Sequence, residues 1–309
     1  MKNTGKTVTM GFLALGAMAW STAFGADGQT NAATMQPIVV QEKKPLHEET
    51  VVGPYSQPEW TTARRFPTTR IYLQHDPLEF GFEQWWRLQH FRDGTTEQRF
   101  QEELGIGLPG RLQLDLYETW KVLNSGDSGQ DEVSIELRYA FADWGKLPGN
   151  PTIYLEWALG QDAANGWEVG KDAVNGLEAK LLLGDEWASG VHWGVNLVCE
   201  QAMGGERTTE YTVSGAIGKT LVDEKLGIGL EAKYSSESDQ GGRSDPTHEV
   251  MAGPSLQWRP APKWHIDVAP LAGLTHDAPR LEAWVVAGFE FGPGSEKKTV
   301  QAPISTMRN

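Results

Sequence analysis

The sequence predicts an all-β fold, a transmembrane antiparallel up-and-down β-barrel of about 12 strands behind a signal peptide and a periplasmic arm. Three observations predict it. Between Phe80 and Phe291, segments of about ten residues alternate apolar and polar side chains. The first residues have the charge and hydropathy of a secretory leader. The connections fall into a short and a long class that alternate along the chain.

In the leader, Lys2 and Lys6 supply the positive start, and Val8 to Trp20 is an apolar run too short to cross a bilayer as a helix. Ala23-Phe24-Gly25 puts small residues where a signal peptidase reads, so 1–25 is expected to be removed and the mature chain to begin at Ala26. No other stretch is apolar enough for a membrane helix. A crossing therefore has to be a closed sheet, the other way of satisfying every backbone group in lipid. The formal net charge is −14, and loss of the two leader lysines leaves the rest more acidic, which argues against a nucleic-acid partner. Cys199 is alone, so there is neither an intramolecular disulfide nor a cysteine-rich metal site.

Residues 26–78 are rich in Pro, Thr and charge, and Arg64, Arg65 and Arg70 stand close together. Composition favours a loosely ordered periplasmic extension. The alternative is a plug, drawn by its arginines toward an acidic lumen.

The strands read as 79–91, 97–108, 111–122, 132–142, 152–160, 176–184, 190–201, 208–219, 226–235, 248–258, 263–273 and 280–291. The third shows the pattern: Leu112, Leu114 and Leu116 point one way and Arg111, Gln113, Asp115 and Tyr117 the other. With the N-terminus periplasmic, the connections 92–96, 124–131, 161–175, 202–207, 236–247 and 276–279 lie outside the cell. Most are longer and more polar than the turns on the opposite rim, as in a bacterial barrel. The third outer loop holds an echo, Asp162 to Glu168 repeated as Asp172 to Glu178, too short for a repeat architecture. The chain has 13 tryptophans; Trp144, Trp187, Trp258 and Trp264, with Phe289 and Phe291, fall near the short-turn end, where a headgroup-level girdle is expected. Residues 292–309 read as a polar tail.

The polar faces carry Glu83, Arg87, Glu103, Asp115, Glu136, Arg138, Glu156, Glu178, Lys180, Asn196, Glu200, Glu231 and Lys233, with Arg99, Arg111, Glu210, Asp267, Glu282 and Glu290 beside them. A charge inside a barrel must be hydrated or paired. These residues therefore imply either a solute-facing lumen with cation preference or an ion-pair network that holds a narrow barrel together.

Several runs carry a family resemblance: Glu83 to Phe91, Glu103 to Leu112, Tyr154-Leu-Glu-Trp157, Asn196 to Glu200, Gly229-Leu-Glu231 and Gly253-Pro-Ser-Leu256. Their order resembles the bacterial outer-membrane proteins of the MetA-pathway of phenol degradation family and related transporter barrels, over about residues 79–291. The resemblance implies a barrel, an envelope location and passage of small organic molecules. As a barrel of the cell outer membrane, the chain is expected to meet outer-membrane lipid and the assembly machinery. One departure is that the chain continues beyond Phe289-Glu-Phe291, where such barrels commonly end.

Other motifs lead nowhere. Gly126-Asp127-Ser128-Gly129 looks like a protease nucleophile segment without partners. Gly218-Lys219-Thr220 lacks the first glycine of a phosphate loop, since position 213 is Val. The seven histidines show no ligand spacing, so neither a metal nor another cofactor is expected. The expected function is a channel or transporter-like barrel for small organic or cationic solutes, with no catalytic residues. The alternatives are a closed envelope scaffold and a membrane-embedded lipid hydrolase built around His248 on the lipid-facing side, for which the sequence offers no convincing serine nearby.

Overall fold

The computed structural model describes residues 46–296 except 64, 124–125, 127, 161–174 and 205–206. The leader, the loop echo as far as residue 174 and Arg64 lie outside the described residues, as do Asp127 of the serine motif and the tail beyond 296. Two strand fragments, β1 (Val51–Val52) and β2 (Gln57–Pro58), pair in the segment before the barrel. The barrel strands are β3 (Phe80–His90), β4 (Thr96–Leu108), β5 (Leu112–Leu123), β6 (Ser128–Ala140), β7 (Thr152–Gly160) and β8 (Gly176–Trp187). They continue as β9 (Val191–Ala202), β10 (Thr209–Val222), β11 (Leu226–Ser238), β12 (Thr247–Trp258), β13 (Trp264–Gly273) and β14 (Leu281–Phe291). Each pairs antiparallel with the next, and β14 pairs with β3 from Phe291↔Phe80 to Leu281↔His90, closing the ring.

Burial is inverted relative to a water-soluble protein. Leu230 is 60 % exposed, and Leu116, Ile135, Leu137, Leu155 and Ile217 are exposed with it, while Asp115 and Glu136 are 0 % exposed. The apolar half of each alternation faces outward and the polar half inward, the arrangement of a barrel in lipid. Trp187, Trp258, Trp264 and Phe291 stand exposed near the short-turn rim, and Trp264 meets Phe289 at a ring distance of 4.7 Å, as a girdle requires. Trp144 is a correction: it turns inward, edge-on to Trp60 at 5.7 Å and to Tyr72 at 5.3 Å.

The expected strands recur, with differences at their ends. β6 starts at Ser128 rather than 132, β11 runs to Ser238 rather than 235, and β8 and β10 extend to Trp187 and Val222. Backbone pairing continues beyond the lipid, where nothing demands an apolar residue at every second position. Arg111 is a turn residue with φ 63° beside Gly110, and its guanidinium reaches Asp143 at 3.3 Å on the rim rather than facing the lumen. The short-turn rim also carries one long connection, 141–151, which holds Trp144.

One seam departs from regular pairing. The β12–β13 register runs from Met251↔Gly273 to Ala252↔Ala272 and resumes only at Leu256↔Val268. Pro254 and Pro270 lie in the gap, and proline has no N–H for a ladder bond. Behind the gap, Met251, Ala269, Leu271 and Ala278 form an apolar cluster inside the ring, with Trp284 against it. After β14 the chain makes a short turn at Pro293–Ser295, where Lys263 Nζ donates to Ser295 Oγ at 2.8 Å.

Candidate functional site

From Leu46 onward the segment before β3 is not the loosely ordered extension its composition suggested: it runs inside the ring and is bonded to the wall throughout. At the short-turn rim, the His47 and Glu48 amides donate to Asp223 at 2.8 and 3.2 Å. Tyr55 donates its hydroxyl to the Leu108 carbonyl at 3.1 Å and accepts from the Arg111 amide at 3.0 Å. The Trp60 indole is fully buried, stacks on His192 at 4.0 Å and donates to Glu186 at 2.7 Å. Deeper in the ring, Arg65 donates to Gln257 at 2.7 Å and to Thr220 at 3.1 Å, and Thr68 donates its amide and hydroxyl to Glu231 at 2.8 and 2.5 Å. The chain then returns: Tyr72 donates to the Ala142 carbonyl at 2.7 Å, and the Gln74 and His75 amides share Gln113 Oε1 at 2.7 and 3.2 Å before Pro77 bridges Gly107.

Inward-facing glycines make room for this path. A Cβ on Gly184 or Gly194 would come within 2.6 or 2.9 Å of Ile71, one on Gly218 within 2.8 Å of Phe66, and one on Gly227 within 2.7 Å of Arg65. Tyr55, Trp60, Phe66, Ile71, Tyr72 and Leu73 fill the space so created, with Ala140, Ala216 and Trp144. This apolar core belongs to the arm rather than to the strands.

Arg70 is gripped by the wall through both its backbone and its side chain. Its amide donates to Asn196 Oδ1 at 2.8 Å and its carbonyl accepts from Asn196 Nδ2 at 2.7 Å, so one side chain pins the backbone in both senses. Nη2 donates to the Tyr117 hydroxyl at 2.9 Å and to Glu103 Oε2 at 3.3 Å, and lies 3.9 Å from Glu136. The guanidinium carbon sits 5.4, 6.0 and 5.9 Å from the ring centres of Trp85, Tyr117 and Tyr154. Burial works against this charge, but the oxygens of Tyr117, Glu103 and Glu136 hold the proton well above the ordinary arginine range. Arg65 differs: burial pushes it down to about 10, only partly offset by Glu48 at 3.8 Å. Burial likewise pushes the Glu48 carboxyl up against the pull of Arg65 and Arg259.

Above Pro67, Thr68 and Arg70, which form its floor, the lumen holds a recess of about 310 Å³. Its wall is polarised. Glu132, Glu156, Glu178, Glu200 and Glu210 come from β6 to β10, whereas Arg87, Arg99 and Lys233 come from β3, β4 and β11. The register aligns the acids: Asp115↔Glu136, Glu136↔Glu156, Glu156↔Glu178, Glu178↔Glu200, Glu200↔Glu210 and Glu210↔Glu237 are successive cross-strand partners. A continuous row of carboxylates thus climbs seven strands, from beneath the arm to the long-loop rim. Like charges directly opposite each other destabilise a sheet. Lys180 answers part of the row, on Glu178 at 2.5 Å and over Tyr154 at 4.2 Å.

The predicted lumen residues divide into two groups. Arg87, Glu156, Glu178, Lys180, Asn196, Glu200 and Lys233 line the recess. Glu83, Glu103, Asp115, Glu136, Arg138 and Glu231 are buried around the arm. Arg138, for example, holds Glu136 at 2.6 Å and Asp115 at 3.3 Å and donates to the Tyr72 carbonyl at 3.3 Å. Sequence reasoning did not single out Glu132, Trp85, Tyr154 or Trp284 and placed Tyr117 on the polar face without giving it a role; all five line the recess. The four aromatics stand at inward positions of otherwise polar faces, which was the available signal.

Two further groupings emerge. His47, read as one of seven scattered histidines, lies with Nδ1 3.0 Å from both Glu59 and Glu224 at the short-turn rim. His248 does have a serine neighbour, since Ser236 is its cross-strand partner on β11. The imidazole Nδ1 instead meets the Tyr234 hydroxyl at 3.0 Å, and Asp277 accepts from the His248 amide rather than from the ring.

No family model matches the chain, and no curated protein matches it. Among solved structures, the fold is similar to the COG4313 outer membrane channel from Pseudomonas putida F1, with TM-score 0.52 and 9 % identity over 70 % of this chain and 96 % of that one. The KdgM porin (TM-score 0.45, 10 % identity, 68 % of this chain and 99 % of that one) and the NanC porin (0.44, 12 %, 69 % and 98 %) match more loosely. The similarity identifies the architecture as that of an outer-membrane β-barrel.

Proposed function

We propose that the protein is an outer-membrane channel for small, preferentially cationic solutes, closed in its resting state by residues 46–78 acting as a plug from the periplasmic side. The observation that carries this reading is the carboxylate row. Glu156, Glu178, Glu200 and Glu210 face one another across successive strands beside water-accessible space, at a cost in repulsion that a purely structural interior has no reason to bear. A cation entering from the long-loop side meets this wall of negative potential, whereas Arg87 and Lys233 beside it are paired with Glu97 and Glu282 at 3.5 and 2.8 Å.

The closed-scaffold reading has its own support in the lower half of the lumen. There Asp115, Glu136 and Arg138 form a buried ion-paired network and the arm fills the remaining space. A plugged channel accommodates both halves. The hydrolase reading is weaker, because the His248 imidazole is engaged by Tyr234 rather than by Ser236. The resemblance to the MetA-pathway of phenol degradation family extends the proposal toward organic solutes, and the aromatic rings of Trp85, Tyr154 and Trp284 in the recess suit such a cargo.

The test is swelling of proteoliposomes containing the barrel with and without residues 26–74, in isotonic organic cations and anions of matched size. Faster entry of the cation into vesicles carrying the shortened form is expected. Equal exclusion of both ions by both forms, with folded barrel verified by heat modifiability, contradicts a channel.

A further inference from the structure

Arg70 occupies a site that is built for a cation and is not specific to the arm. Three aromatic rings, Trp85, Tyr117 and Tyr154, stand within 6.0 Å of its guanidinium carbon. Glu103 and Tyr117 accept from Nη2, and Glu103 is itself held in place by Trp85 Nε1 at 3.0 Å. Aromatic faces with a carboxylate at one edge are the chemistry that recognises guanidinium and alkylammonium groups. The groups come from four wall strands, Trp85 from β3, Glu103 from β4, Tyr117 from β5 and Tyr154 from β7, so the cage does not need the arm to assemble. Arg70, Trp85, Tyr117 and Tyr154 also line the recess, which places the cage at its floor, within reach of a solute arriving from above.

We propose that Arg70 is a tethered occupant of a binding site for guanidinium-type organic cations, and that a solute of this class competes with Arg70 for the cage and so loosens the arm. This rests on the plugged-channel reading and names the solute class and the releasing step. In the resting state the arm supplies the cation in cis. A free cation takes over the same π faces and the same Glu103 oxygen, leaving the Arg70 backbone on its two bonds to Asn196 and its neighbours Thr68 and Thr69 on Glu231 and Ser214.

The experiment titrates purified, detergent-solubilised full-length protein with methylguanidinium chloride while following tryptophan fluorescence, with methylurea as the uncharged isostere. Arg70→Ala empties the cage. Arg70→Gln is the second variant, keeping a stem and a hydrogen-bonding end without the charge should the alanine form fail to fold. Saturable quenching is expected in either variant. Binding to the wild type should be weaker by about a hundredfold, because a tethered competitor acts at high effective concentration. Adding Glu103→Gln to either variant should remove the response. Identical titrations of wild type and both Arg70 variants, or an equal response to methylurea, overturns the proposal. Conductance separates this from the parent reading. Absent cation binding with current through the arm-deleted barrel sinks the cage and keeps the channel, whereas saturable binding with no current in any form supports the cage and sinks the channel.

Discussion

Ile71 of the arm lies against the bare backbone of Gly194 in β9, so closely that a Cβ on that glycine would come to 2.9 Å from Ile71 Cγ1. The contact ties the barrel's inner surface to the segment that fills it. Gly194→Val forces one or the other to move, at about 1–3 kcal/mol for overpacking. The expected result is faster chymotryptic cleavage after Tyr55 or Trp60 in the folded protein. Gly215→Val is the control, because a Cβ there meets nothing closer than 3.8 Å. Equal cleavage of the two variants would show that the arm does not depend on this fit.

The carboxylate row separates residues that alignment by face alone treats alike. Glu156→Gln, Glu178→Gln and Glu200→Gln together are expected to lower cation preference, read as a shift of reversal potential toward zero in a salt gradient across the open form. Glu231→Gln is expected to leave selectivity unchanged, because Glu231 is buried against Thr68 beneath the recess floor. An unchanged reversal potential in the triple variant removes the row from the permeation path.

Seating of the arm should depend on pH through Glu48. Burial raises its carboxyl above the ordinary value, against Arg65 and Arg259 and with Asp223 and Glu49 adding to the rise. The seated arm therefore binds the Glu48 proton more tightly than a released arm does. That contribution to seating is full below the ordinary carboxyl value and is lost as pH rises through the raised one. Hydrogen exchange of the arm amides, corrected for intrinsic rate, should report more frequent opening as pH rises through this window. Glu48→Gln should flatten the dependence; a slope of the same size in that variant assigns the effect elsewhere.

The lipid face gives a separate prediction. Leu116 and Ile135 are cross-strand partners, both exposed on the outer surface. Leu116→Arg is expected to cost about 2–4 kcal/mol if the position lies at the bilayer midplane, measured by denaturant unfolding from lipid vesicles. A neutral effect would mean that this face meets water.

The barrel was legible because lipid imposes one rule on the outward positions of every strand where it crosses the membrane. From Leu112 to Leu116 the outward positions are all leucine, so period two survives any single irregularity. Strand ends such as Ser128 to Asp131 were missed because pairing there no longer requires apolar residues. The arm escaped for a different reason. Its hold rests on individual contacts, Trp60 on His192, Arg70 on Asn196, Thr68 on Glu231, that share no period. A signal was present on the wall, however. Gly184, Gly194, Gly218 and Gly227 leave the inner surface bare, and glycine inside a strand marks the close approach of another chain segment. The division of the charged residues was equally hidden, since alternation assigns Glu103 and Glu156 to the same face and only the arm's path decides which of them meets water.

Single-channel conductance of the protein in a planar bilayer, with and without residues 26–74, decides whether the arm plugs a pore. Small or no current is expected from the full-length form, and steady, cation-preferring ohmic current once the arm is removed. Silence from both forms, with heat-modifiable β-sheet confirming that each is folded, would contradict a plugged pore and leave a closed barrel.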